Sequence, residues 1–120
     1  MEIIKYKPDN FTVLSGDDAI TLPLISIGVE GVISVVANAL PERFSNMVHS
    51  GISGDFATAN EEHYDLMKMT RLMFAEGNPG GVKEALVYRK ICENHMRLPL
   101  VPVSKSLRAE ITKEMKVLMG

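Results

Sequence analysis

A chain of 120 residues can form one modest domain with a hydrophobic core, and a hydrophobic fraction of 46% is too high for a disordered segment. The formal net charge of −2, with no basic stretch longer than a pair, argues against nucleic acid as the main partner. No run reaches the roughly 20 apolar residues of a membrane span. Met1-Glu2-Ile3-Ile4-Lys5 meets charge too early for a secretory signal, and the single cysteine, Cys92, cannot form an internal disulfide, so a cytoplasmic location is expected.

Met1 to Lys7 reads as the tail of a helix stopped by Pro8, since proline disfavours a helical residue before it. So short a helix is marginal alone and is expected to be the stump of a longer one. Phe11 to Ser15 follows as a first strand. Asp17 or Asp18 can cap the next helix, Ala19 to Gly28, in which Ile20, Leu24 and Ile27 recur at helical spacing. Pro23 lies early enough to be tolerated there, and Gly28 suits the left-handed C-terminal position. Val32 to Val36 is a second strand with almost no polar residues, the composition of a parallel strand buried on both faces. Strand, helix and strand in this order, with a connection of this length, predict a parallel crossover.

No further strand is convincing. Pro41 opens a helix that Gly51 closes. Asp55 caps a longer one running toward Gly77, with Phe56, Ala59, His63, Leu66, Met67, Met73 and Phe74 near one face. Asn78-Pro79 starts a third, through Val82, Leu86 and Val87 to about Asn94. Arg97 to Val103 is extended because two prolines forbid helix. Ser104 caps the last helix, with Leu107, Ile111, Met115 and Leu118 in its stripe. Two strands do not make a stable sheet with both faces buried, and their free edges would sit beside very apolar side chains. The strand half therefore looks incomplete and the helical half self-sufficient.

Four segments carry a family likeness: Leu14-Ser15-Gly16-Asp17-Asp18, Gly31-Val32-Ile33-Ser34-Val35-Val36-Ala37-Asn38, Phe74-Ala75-Glu76-Gly77-Asn78-Pro79-Gly80-Gly81-Val82-Lys83 and Arg97-Leu98-Pro99-Leu100-Val101-Pro102. In order and spacing they resemble the dihydrodipicolinate synthase family across essentially all 120 residues. Gly81 departs from the family pattern, which usually has proline there. The N-acetylneuraminate lyases and keto-deoxy-sugar aldolases, sister families on the same barrel, are less similar. The resemblance implies an α/β fold class: a C-terminal fragment of a (β/α)8 TIM barrel, mostly helical by content. Residues 1–40 would hold the last two β-strands with their connecting helix, and residues 41–120 the last barrel helix and a helical C-terminal region. A complete barrel takes about 250 residues, so no whole one fits.

In that family a lysine at the end of the sixth barrel strand forms an imine with pyruvate. The resulting enamine attacks aspartate semialdehyde, on the way to diaminopimelate and lysine, while a tyrosine, a threonine and a second tyrosine relay protons. The resemblance puts those residues upstream of Met1, so the chain is expected to be inactive alone and to use no cofactor. A lysine nucleophile needs a buried, dry setting. None of Lys5, Lys7, Lys68, Lys83, Lys90, Lys105, Lys113 and Lys116 lies in a predicted strand, and the plain reading of each is a solvated charge. The implied partners are pyruvate, aspartate semialdehyde and further copies of the chain, with neither nucleic acid nor membrane.

What the resemblance leaves to this chain is the far wall of the site. Ile33 matches a position whose backbone carbonyl faces the pyruvate-derived group. Ser15 and Gly16 match the neighbouring strand end, where glycine lets a substrate approach the backbone. Strand C-terminal ends carry the chemistry in such barrels. On composition alone Ile33 is a core aliphatic. Asp17 and Asp18 could form an acid pair, but adjacent residues do not face each other on a helix and capping is the simpler role. His49, His63 and His95 lack metal-ligand spacing, and Cys92 has no evident base partner. The methionines read as core filling. Gly77, Gly80 and Gly81 flank a helix start without the P-loop ending. Two alternatives stand beside the truncated lyase: a non-catalytic helical oligomerisation module, and the C-terminal piece of a split enzyme.

Overall fold

A computed structural model describes residues 1–120. Six α-helices follow one another: α1 (Glu2–Tyr6), α2 (Thr21–Ile25), α3 (Pro41–Ser53), α4 (Phe56–Phe74), α5 (Gly80–Tyr88) and α6 (Lys105–Met119), with 3-10 turns at Asp18–Ile20 and Val36–Asn38. The central element is α4, which packs against α3, α5 and α6. One core joins Phe44, Met47, Leu66, Met69, Met73, Ile111 and Met115 to Leu22 and Val36 from the first part of the chain. α1 buries no residue.

The helix ends follow local chemistry. Pro41 sits in the first turn of α3, where its missing N–H costs nothing. Asp55 accepts from Thr58 N (3.1 Å) at the start of α4, and Ser104 Oγ accepts from Leu107 N (3.2 Å) at the start of α6. The expected end of α3 at Gly51 is corrected: the helix runs on to Gly54, which takes the left-handed conformation (φ 86°) and donates to Gly51 O (3.1 Å). Gly51 instead lies buried where an added Cβ would stand 2.8 Å from Leu22 Cδ1, so it admits α2 onto α3. On α4 the buried stripe is Ala59, Leu66, Met69, Thr70 and Met73, whereas Phe56, Met67 and Phe74 are exposed. α5 stops at Tyr88 rather than near Asn94, because Lys90 turns left-handed (φ 59°). The segment beyond is tied back by Asn94 Nδ2 to Glu84 (2.6 Å) and Lys83 Nζ to His95 O, while Arg108 of α6 pairs with the same buried Glu84 (3.0 Å).

The largest correction concerns the two expected strands. Phe11–Ser15 and Val32–Val36 do not form a sheet; they meet at a single parallel bridge, Ser15 with Val32. Ser15 N donates to Gly31 O (2.8 Å) and Ile33 N to Ser15 O (2.9 Å). Before the bridge the register slips, since Val13 O takes Glu30 N (3.0 Å) rather than Gly31 N. After it, the donors that would extend the ladder go to side chains: Asp17 N to Ser15 Oγ (3.2 Å) and Val35 N to Asp18 Oδ2 (3.0 Å). Nor is Val32–Val36 buried on both faces, because only Val36 is buried and Ile33 is 72% exposed. The expected helix 19–28 is likewise a 3-10 turn followed by the short α2. Its buried side is Thr21, Leu22 and Ile25, not Ile20, Leu24 and Ile27, and Gly28 (φ 99°) ends the turn after it.

Candidate functional site

The bridge brings Ser15, Gly16 and Ile33 together through the backbone. Ser15 is buried, and its hydroxyl donates to Asp17 O (3.0 Å) while accepting from Asp17 N (3.2 Å). Thr21 Oγ1 lies 2.7 Å from Asp17 O and 3.1 Å from Ser15 Oγ, so the serine side chain is spent on the turn that leads into α2. Gly16 follows at the surface. An added Cβ there would meet nothing within 4 Å, so nothing inside the chain requires glycine. Neither its N–H nor its carbonyl makes a hydrogen bond, and the Ile33 carbonyl accepts none. Three backbone polar groups thus stand free at the ends of two adjacent segments, ready for a ligand or for further backbone.

Asp18 does more than cap a turn. It is buried, and its carboxylate accepts from Val35 N (3.0 Å), Val36 N (3.4 Å) and the Ser34 hydroxyl. It clamps the end of the first segment to the end of the second, leaving Asp17 to cap the 3-10 turn through Ala19 N (2.8 Å). No local pattern could have told the two aspartates apart, because the partners lie in the second segment.

A cavity of about 310 Å³ adjoins Gly16, lined also by Asp17, Ala19, Thr70, Arg71 and Phe74. No lysine lines it, and none is buried: Lys68 pairs with Glu114, Lys7 with Glu30 (3.1 Å), and Lys83 is tied to His95 O. His63 is half-buried between α2 and α4, and burial pushes its pKa down. His49 contacts Ser45 (3.2 Å), His95 pairs with Glu93 (2.7 Å), and Cys92 is exposed. No group of three or more His, Cys, Asp or Glu side chains converges on a metal position, and no helix is long and apolar enough to cross a membrane.

Residues 1–118 match the model of the dihydrodipicolinate synthetase family. The chain belongs to this family. Its similarity to 4-hydroxy-tetrahydrodipicolinate synthase of Phocaeicola vulgatus is 48% identity over 120 residues, covering 97% of this chain and 40% of that protein. The Methanosarcina mazei enzyme of the same name is 43% identical, with 92% of this chain and 38% of that one covered. Among solved structures, dihydrodipicolinate synthase from Aquifex aeolicus superposes with a TM-score of 0.92 at 38% identity, over 97% of this chain and 40% of its own. The Acinetobacter baumannii enzyme, solved in complex with pyruvate, superposes at 0.86 with 30% identity, over 91% of this chain and 38% of its own. The chain therefore spans about 40% of the length of the relatives it matches, and its backbone is that of part of a larger fold. The family resemblance read from the four sequence segments is the correct one.

Proposed function

We propose that the chain supplies the C-terminal part of a pyruvate-dependent lyase of lysine biosynthesis, a cytoplasmic, homo-oligomeric enzyme that condenses pyruvate with aspartate semialdehyde. In this reading the Phe11–Ser15 and Val32–Val36 segments take the last two strand positions of the barrel, and the helices from α3 onward brace them. The chain contributes a wall rather than a nucleophile. Gly16 and Ile33 present backbone polar groups to the pyruvate-derived intermediate, and Ser15 holds the turn that carries Gly16. The observation that supports this most is the Ser15–Val32 parallel bridge, which sets the unpaired Gly16 and Ile33 groups side by side at the segment ends. The imine-forming lysine then belongs to another segment of the assembled barrel, since every lysine of this chain sits on or beside a helix, outside the bridged pair.

Mixing the chain with a polypeptide that supplies the family's Schiff-base lysine tests this reading. The mixture is expected to condense the two substrates and the chain alone is not. Gly16→Val should lower kcat/KM of the mixture by tenfold or more while leaving the chain's unfolding midpoint unchanged, because the added side chain projects into open space. Full activity of that variant contradicts the wall assignment. The exposed Phe11, Leu14 and Ile33 favour a second reading, a non-catalytic helical module that oligomerises through this face. That module would give no condensation with any complement.

A further inference from the structure

One peptide group beyond the bridge stands free while the chain is held on both sides of it. The Ile33 carbonyl accepts no hydrogen bond and the Ser34 amide donates none. Before this peptide, Ile33 N donates to Ser15 O (2.9 Å). After it, the Asp18 carboxylate takes the Ser34 hydroxyl, Val35 N (3.0 Å) and Val36 N (3.4 Å). Asn38 Nδ2 adds bonds to Ser34 O and Val35 O (3.1 Å each), but Asn38 is exposed whereas Asp18 is buried. Asp17 caps the 3-10 turn through Ala19 N (2.8 Å), which leaves the Asp18 side chain to reach the second segment. A peptide with no bond of its own takes its direction from the anchors at its two ends.

We infer that Asp18 is a positioning residue of the lyase site: acting through Ser34 and Val35, it sets the direction of the free Ile33 carbonyl. The inference rests on the lyase reading, in which that carbonyl faces the pyruvate-derived group, and adds the residue that aims it. Asp18 touches no substrate, because its carboxylate is spent on three donors of the chain itself. A carboxylate offers acceptor positions to several donors at once, and the short aspartate side chain fixes them close to its own backbone. Loss of the clamp frees the Ile33–Ser34 peptide on one side, with the Ser15 bond left to hold the other. An acceptor displaced by about 1 Å loses much of its effect on the reacting group. The aldehyde, which the Ile33 carbonyl does not face in this reading, should bind as before.

The test compares Asp18→Asn, Asp18→Glu and Ser34→Ala, each first shown to be folded by urea unfolding, in the mixture with a polypeptide that supplies the Schiff-base lysine. Asp18→Asn keeps the reach and one acceptor, and kcat should fall by about threefold at most. Asp18→Glu keeps the charge but is one methylene too long, and kcat should fall by about tenfold or more. Ser34→Ala removes one donor without adding bulk and should fall between the two. KM for aspartate semialdehyde should stay within about twofold throughout. On the labelled chain alone, residual dipolar couplings of the Ile33–Ser34 peptide should fit one orientation in the parent and in Asp18→Asn, and shrink in Asp18→Glu and Ser34→Ala. A merely structural role would lower the unfolding midpoint and leave kcat of the folded variants at the parent value. Parent kcat in both Asp18→Glu and Ser34→Ala, a larger loss in Asp18→Asn than in Asp18→Glu, or unchanged couplings each overturns the inference. Should Asp18→Glu not fold, kcat and couplings of Ser34→Ala decide by the same outcomes. No condensation by the parent mixture contradicts the lyase reading, and the couplings then decide whether Asp18 sets the peptide.

Discussion

The Asp18 carboxylate accepts a 3.0 Å hydrogen bond from the Val35 amide, 17 residues further along the chain. This one contact explains why the two segments meet at a bridge and then part. A continuing parallel ladder would give the Val35 amide to Asp17 O. The buried carboxylate takes it instead, together with Val36 N and the Ser34 hydroxyl, and the chain turns into Val36–Asn38. Ile33 is thereby fixed between the bridge on one side and the clamp on the other.

Replacing Asp18 by alanine leaves two backbone donors and a hydroxyl without partners in a largely buried place. The expected loss is about 2–3 kcal/mol, from the desolvation of donors left unmade. Asp18→Asn, which keeps one acceptor, should recover part of it. Urea unfolding of the two variants checks both; an alanine variant as stable as the parent removes the clamp from the argument.

Gly81 sits where α5 meets α4. An added Cβ would lie 2.3 Å from Met73 O and 2.5 Å from Met73 Cα, so the start of α5 touches the backbone of α4 directly. Gly81→Ala must push the two helices apart, and a destabilisation of about 1–3 kcal/mol or more is expected. Gly16→Ala, which meets nothing, should stay within about 0.5 kcal/mol. Unfolding midpoints measured side by side decide the ranking, and equal effects at the two glycines would refute it.

Glu76 ties the end of α4 to the start of α6. Its carboxylate accepts from the Ser104 hydroxyl (2.6 Å) and from Ser104 N (2.7 Å), and these bonds hold its pKa below the usual glutamate value. A folded-state pKa lowered in this way adds stability that is present above the unfolded value, about 4.3, and is lost as pH falls through the folded value. Glu76→Gln should therefore lower the thermal midpoint at pH 7 and have little effect near pH 2. An equal effect at both pH values would mean that charge plays no part.

Phe11, Leu14 and Ile33 present 55%, 47% and 72% of their surface to solvent on the two bridged segments. Such a face beside unpaired backbone invites cover, and another copy is the nearest source. Light scattering at high micromolar concentration should give a dimer or larger species. Ile33→Asp should shift it toward monomer. A compact, stable monomer of the parent chain contradicts this.

Much of the helical part was legible because its signals are local. Pro41, Asp55 and Ser104 mark starts whatever the tertiary context, and Leu107, Ile111 and Met115 keep one face through α6. The end of α3 is not legible in the sequence, because Gly51 and Gly54 look alike until Leu22 packs on the first. The loss of the sheet is not legible either, because a run such as Val32-Ile33-Ser34-Val35-Val36 has the composition of a strand, while pairing depends on partners elsewhere. Here the donors go to Ser15 and Asp18 side chains. The proposed site residues Ser15, Gly16 and Ile33 are legible only through the family resemblance. Composition alone would have put Ile33 in the core, whereas it lies at the surface.

The central claim is that this chain forms a wall of a pyruvate-binding site and holds no imine-forming lysine of its own. Its most direct test is the intact mass of the chain after incubation with pyruvate and borohydride, which traps any lysine imine as a stable adduct. The expected result is an unchanged mass for the chain alone, with the adduct appearing on the complementing polypeptide in the mixture. A stoichiometric adduct mapped to any lysine of this chain would contradict the claim.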